Sequence, residues 1–232
     1  MVIDNNYIGI QPDGVTPGAN GYRGVRISSS PGNTISDNLI SGNISGGVLV
    51  SGAASDGNTI TGNYIGTNAA GTAAVGNSGR GVQISNAPNT QVGGSTAASR
   101  NIISGQSGSN FGVYVFGTDS AGTKIQGNYI GTDWEGEATI PNTLTGVRLN
   151  GTLNVTVGGN SPAEGNLISG NASSGIIIYG SADTTTVKYN IIGLDIDVMN
   201  FNRQPVQSEV KTSGNCPRDV VLAEPGIYLL QN

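Results

Sequence analysis

Apolar residues recur along this chain at every second position in short bursts, and never at the 3.6-residue spacing of an amphipathic helix. The longest burst is Gly-Val-x-Ile, beginning at Gly24, Gly47, Gly81, Gly112, Gly146 and Gly175. Its apolar pairs are Val25/Ile27, Val48/Val50, Val82/Ile84, Val113/Val115, Val147/Leu149 and Ile176/Ile178. Period 2 with β-branched residues predicts a strand with one buried face. A second burst reads Asn-x-Ile, followed by Gly or Ser in alternation. Its copies begin at Asn6, Asn38, Asn63, Asn101, Asn128, Asn166 and Asn190. Between the two lies a third, shorter element such as Thr34-Ile35, Thr59-Ile60 or Lys124-Ile125, with Ile3 at the same place near the start. The pattern therefore predicts three short strands per unit, with Gly, Ser or Asn at the bends.

Like residues at like places in units a few tens of residues long predict coils stacked in register. Each strand then pairs in parallel with its counterpart in the next coil, roughly 4.8 Å away, so seven coils make a rod on the order of 30 Å long. Ile and Val form internal columns. The asparagines point inward as well, where a polar group must be bonded. A ladder of carboxamides at one bend, each donating to the next, meets that need.

The units alternate. Long loops, 10–23, 67–80 and 132–145, follow the odd copies, and shorter insertions, 93–100 and 158–165, precede two even copies. Such insertions project from one edge of a solenoid, where partners bind. The position following each Asn motif (Gln11, Asn43, Asn68, Gln106, Asp133, Asn171, Asp195) reads as a solvated bend. The column Tyr7, Leu39, Tyr64, Ile102, Tyr129, Leu167 and Ile191 points outward by strand alternation. It is expected either to lie beneath the loops or tail, or to drive lateral association of rods. Because Ile3 and Asn6 already hold repeat positions, neighbouring domains are expected to be missing or an end-to-end partner present. The repeats are assigned to 1–198, and 199–232 is read as a tail that caps the last coil or leads onward.

Composition narrows the classes. Glycine is abundant at 38 residues, yet hydrophobic residues reach 36%, enough for order rather than disorder. A net charge of −5 without a basic cluster argues against nucleic acid, and no apolar run is long enough for a membrane span. With one Cys and no His, neither an internal disulfide nor an imidazole-based metal site is expected.

The repeated Gly-Asn-Tyr-Ile-Gly-Thr at 62–67 and 127–132, with Asn-x-Ile-Ser-Gly and Gly-Val-x-Ile, resembles the right-handed parallel β-helix repeats of the pectate-lyase-like superfamily. More narrowly, it is similar to repeat arrays of bacterial secreted and cell-surface proteins. The resemblance covers about residues 2–195 and implies an all-β, right-handed parallel β-helix (β-solenoid) in an extracellular or cell-surface setting. It also implies a superfamily of lyases, hydrolases and epimerases acting on acidic polysaccharides. The absence of His opposes the polygalacturonase-type hydrolases and the alginate-type epimerases, and leaves a lyase with an Arg or Lys base and carboxylates or Ca²⁺.

Two places could carry chemistry. Asp133, Glu135 and Glu137 on the third long loop form the densest carboxylate group, with Asp195 and Asp197 beyond, and calcium is their only plausible cofactor. The outer face of the Gly-Val-x-Ile strands presents Tyr114, Phe116 and Tyr179 around Arg148, a shallow sugar platform in which rings stack on sugars and Arg meets carboxylates. Trp134, the sole Trp, is a further loop aromatic that could hold a ligand. The leading reading is a rigid structural or adhesive module with modest polysaccharide affinity and no resident cofactor. The alternatives are a polysaccharide lyase-like enzyme using Arg148, Asp133 or Glu135, and a protein-interaction scaffold working through the edge loops.

Overall fold

The computed structural model describes residues 1–180 and 184–193, together with the backbone of two short tail strands. Three parallel sheets run side by side along one axis. One is built from the Thr-Ile elements, starting with Val2–Asp4, Thr34–Ser36 and Thr59–Thr61. The second holds the two-residue Asn-x-Ile strands, starting with Tyr7–Ile8, Leu39–Ile40 and Tyr64–Ile65. The third holds the Gly-Val-x-Ile strands, from Arg23–Ser28 through Ile176–Tyr179. The chain visits the sheets in rotation, so every repeat is one turn of a parallel β-helix. Register follows the sequence motifs: Ile35 aligns with Ile60, Ile60 with Val92, and Val92 with Ile125.

The interior is the predicted set of aliphatic columns. Ile35, Ile60, Val92, Ile125 and Val157 line the first wall, and Ile40, Ile65, Ile103, Ile130 and Ile168 the second. Val48, Val82, Val113 and Val147 line the third, and all are fully buried. At roughly 1.5–3 kcal/mol for each fully buried side chain, these columns dominate the favourable side of folding.

The asparagine ladder runs through all seven copies. Nδ2 of Asn6, Asn38, Asn63, Asn101, Asn128 and Asn166 donates to Oδ1 of the next asparagine at 2.8–3.0 Å. The same oxygen accepts the backbone N–H of the asparagine before it, as Asn101 Oδ1 does from Asn63. Each Nδ2 from Asn38 onward also donates to a strand carbonyl one coil back, Ile60 in the case of Asn101. Both amide hydrogens and both carbonyl lone pairs are thus used, which is what lets so polar a side chain sit fully buried.

A second ladder stands at the corner before the third sheet. Asn20 donates to Asn43, Asn43 to Asn77, and Asn77 to Gln106. Gln106 N donates to Asn142 Oδ1, and Asn142 Nδ2 to Asn171. This corrects the reading of a solvated bend, because Asn43 and Gln106 are fully buried. The ladder takes Asn43, Gln106 and Asn171 from just after the motif in even copies, but Asn20, Asn77 and Asn142 from the far end of the long loops in odd ones. Asn68 and Asp133 instead organise their own loops, accepting from Thr72 and Ala73 N, and from Glu137 and Ala138 N.

Each long loop closes on itself through an antiparallel bridge, Ile10 with Pro17, Thr67 with Ala74 and Thr132 with Thr139. The loops then stack, Ala69 N donating to Gly14 O at 2.9 Å and Trp134 N to Gly71 O at 3.1 Å. Gly71 lies so close to the Tyr64 ring that an added Cβ would meet its Cε2 at 2.9 Å. The loops therefore roof the apolar column, and Leu39, Ile102 and Leu167 are buried while Tyr7 is exposed. The shorter insertions hold single 3₁₀ turns at Ala97–Ser99 and Pro162–Glu164. Beyond the repeats, Val210–Lys211 pairs antiparallel with Thr186–Lys188, and Val220–Leu222 with Ile176–Tyr179. The rest of the tail, with Asp195 and Asp197, lies outside the described residues.

Candidate functional site

The third sheet turns its variable positions to the outer face, and there the chain concentrates arginine and aromatic residues. Strands Val113–Phe116, Val147–Asn150 and Ile176–Tyr179 are adjacent and in register, so Tyr114 lies beside Arg148 and Phe116 beside Asn150. The Arg148 guanidinium stands over the Tyr179 ring at 4.6 Å, over Phe111 at 4.9 Å and near Tyr114 at 5.7 Å. Tyr114 and Phe116 stack at 6.1 Å between centroids, and Asn150 Nδ2 donates to the Tyr114 hydroxyl at 3.3 Å. The predicted platform residues Tyr114, Phe116, Arg148 and Tyr179 are brought together.

The cluster extends further than the sequence reading. Arg80 lies over the opposite side of the group, 4.8 Å from the Tyr114 centroid, and Arg23 reaches across from two coils away. Gln83 is a variable position of Gly-Val-x-Ile, whereas Arg23, Arg80 and Phe111 stand one place before the glycine, outside the positions that alternation sends to the outer face. The position just before the glycine also reaches this face. A legible signal was present in the identical Arg-Gly-Val at 23–25 and 80–82.

The electrostatics are unbalanced. Nε of Arg23, Arg80 and Arg148 are buried without a hydrogen-bond partner, and no carboxylate pairs with these three among the described residues. Burial pulls the Arg80 pKa below its usual value, Arg23 and Arg148 add to that as like charges, and the Tyr114 phenol opposes it. Ring faces compensate part of the charge. What remains is a cationic, ring-lined surface on a chain of net charge −5. It suits a ligand with carboxylates and sugar-like apolar faces.

The other candidates lie elsewhere. Asp133 is buried within its loop turn, while Glu135 and Glu137 are exposed, and no group of three metal-ligating side chains occurs among the described residues. Trp134 is 45% exposed on the loop roof, packed by its backbone against Gly71, and shares no ring contact with the Tyr114 group among the described residues. Asp13, at the place of Glu135 in the first loop, is held below the usual carboxylate range by the Thr16 hydroxyl and the backbone N–H groups of Thr16 and Val15. It too serves its own turn.

A model of the family described as periplasmic copper-binding protein (NosD) matches residues 1–91. Copper favours thiolate, thioether and imidazole ligands. Residues 1–91 contain no Cys or His and only Met1 as a thioether, so they do not fit a copper centre. Among solved structures, a point mutant of the periplasmic alginate epimerase AlgG is similar at 16% identity with a TM-score of 0.55. The likeness covers 82% of this chain and 39% of that one, so the chain spans well under half of the epimerase. No curated protein matches.

Proposed function

This chain is a right-handed parallel β-helix repeat protein, and we propose that it is a rigid cell-envelope or extracellular module that binds acidic polysaccharide on the outer face of its third sheet. The observation that carries this reading is Arg148, lodged among Phe111, Tyr114 and Tyr179 with no anionic partner among the described residues. Its Nε is buried, which leaves the outer edge of the planar guanidinium for a carboxylate, while the flanking rings offer faces to the sugar. The β-helix supplies rigidity: the platform residues sit on paired strands over a fully buried core, so little ordering is needed on binding. The envelope setting is supported by the NosD family and by AlgG, both described as periplasmic.

Affinity electrophoresis in gels containing polygalacturonate, alginate or neutral dextran tests the proposal. The protein is expected to be retarded by the two acidic polymers alone, and Arg148→Ala to lose the effect. Equal mobility in all three gels would overturn it. The lyase alternative, which uses the same face, is separated by following unsaturated product in the ultraviolet, where binding alone gives no signal.

A further inference from the structure

Two coils toward the N-terminal end, the same outer face holds a second cationic group, which meets the platform where Arg80 lies over Tyr114. Arg23 and Arg80 occupy one column, aligned through Gly46 in the coil between them. Both guanidiniums converge on one neutral acceptor. Arg23 Nη2 donates to Gln83 Oε1 at 2.8 Å and Arg80 Nη1 to the same oxygen at 3.4 Å. A Cβ on Gly46 would stand 2.7 Å from Arg23 Nη1, so the glycine is what lets Arg23 lie across the intervening coil. Nη1 of Arg23 is also buried and unpartnered. Gathering two like charges around one amide oxygen works against both repulsion and desolvation. An anion placed over Gln83 would relieve both.

We infer that Arg23, Arg80 and Gln83 form a second anion subsite, so that a linear carboxylated glycan lies along the helix axis with separate uronate rings held at the two ends. This rests on the platform reading of Arg148. The strand of Arg148 is four strand spacings from that of Arg23 and two from that of Arg80, roughly 19 Å and 10 Å. One sugar ring cannot bridge that span, whereas an oligomer can. Arginine suits the task because its planar fork can hold Gln83 with one arm and offer the other to a carboxylate.

Gln83→Glu is the discriminating variant, since it sets a carboxylate of nearly the same shape between the two arginines. Wild type, Gln83→Glu and Arg148→Ala are titrated calorimetrically with oligogalacturonate as trisaccharide and as decasaccharide. Wild type is expected to bind the decasaccharide about tenfold tighter, the worth of roughly one charge-assisted hydrogen bond. Gln83→Glu should erase that gain, change trisaccharide affinity by much less than tenfold and raise the melting temperature. If Gln83→Glu leaves decasaccharide affinity untouched while Arg148→Ala abolishes it, the subsite is refuted and the platform stands. If wild type binds neither oligomer, the platform reading falls and the subsite with it.

Discussion

The Cγ2 methyl of Ile103 fills the space beside Gly81, where an added Cβ would meet it at 2.7 Å. The same relation joins Ile40 to Gly24, Ile65 to Gly47, Ile130 to Gly112 and Ile168 to Gly146 at 2.6–2.8 Å. The two most regular motifs in the chain are therefore halves of one packing unit. Glycine stands at the start of these third-sheet strands because the isoleucine of the Asn-x-Ile strand that follows in the same unit needs that volume, and β-branching at the isoleucine is what reaches it.

Gly81→Ala is consequently expected to destabilise the fold by about 1–3 kcal/mol, the range for overpacking a close-packed core. The backbone carbonyl of Gly112, also at 2.7 Å, prevents relief by side-chain movement alone. Chemical denaturation would show a lower midpoint with unchanged slope; an unchanged midpoint would contradict the packing argument.

The ladder predicts a gradient along the rod. Asn101→Ala removes an acceptor from the Asn63 N–H and Nδ2, and donors from Ile60 O and Asn128 Oδ1, all in the dry interior. With about 1–3 kcal/mol for each buried group left unpaired, a loss of at least about 3 kcal/mol is expected. Asn6 is exposed, and Asn6→Ala should cost less than about 1 kcal/mol. Thermal melts of the two variants, compared side by side, decide this.

The sequence made the fold legible because a solenoid repeats its constraints. Every coil must solve the same bend and fill the same column, so Asn63, Ile65 and Gly47 each appear many times over. The second ladder escaped notice because loop insertions move its members in sequence, Asn43 lying just past its motif but Asn77 across a whole loop, while spatial position stays fixed. The site was half legible for a related reason. Alternation identified Tyr114, Arg148 and Tyr179, but gave no hint that Arg23 and Arg80, three places earlier in their strands, reach the same face. The rings and arginine of the candidate platform, Tyr114, Phe116, Arg148 and Tyr179, differ from coil to coil, and a residue that departs from the repeat carries no periodic signal.

One carboxylate should tie stability to acid pH. Glu164 accepts from Asn160 N at 2.6 Å and Ser161 N at 3.0 Å, which hold its pKa below the ordinary value, the Asn160 bond most strongly. A lowered folded pKa contributes stability above the unfolded value, about 4.3, and loses it as pH falls through the folded value. At neutral pH the wild type should exceed Glu164→Gln by less than about 1 kcal/mol, since solvent reaches and screens this partly buried group. The two melting curves should converge in acid, and a gap independent of pH would refute the assignment.

Arg80 supplies a prediction that a purely structural role would not make. Its guanidinium is half-buried with Nε unpaired, and burial and two neighbouring cations oppose its charge. If the fold alone had selected this residue, removing it should weaken the protein. If a bound polyanion is the missing counter-charge, Arg80→Met should keep an apolar side chain of similar length beside Tyr114, relieve the desolvated charge, and leave stability unchanged or raise it by about 1–2 kcal/mol. The same variant should weaken retardation by alginate and polygalacturonate, where Arg148→Ala removes it. A stable Arg80→Met that is retarded as strongly as wild type would separate Arg80 from the ligand site, and an unstable one would assign the arginine to the fold.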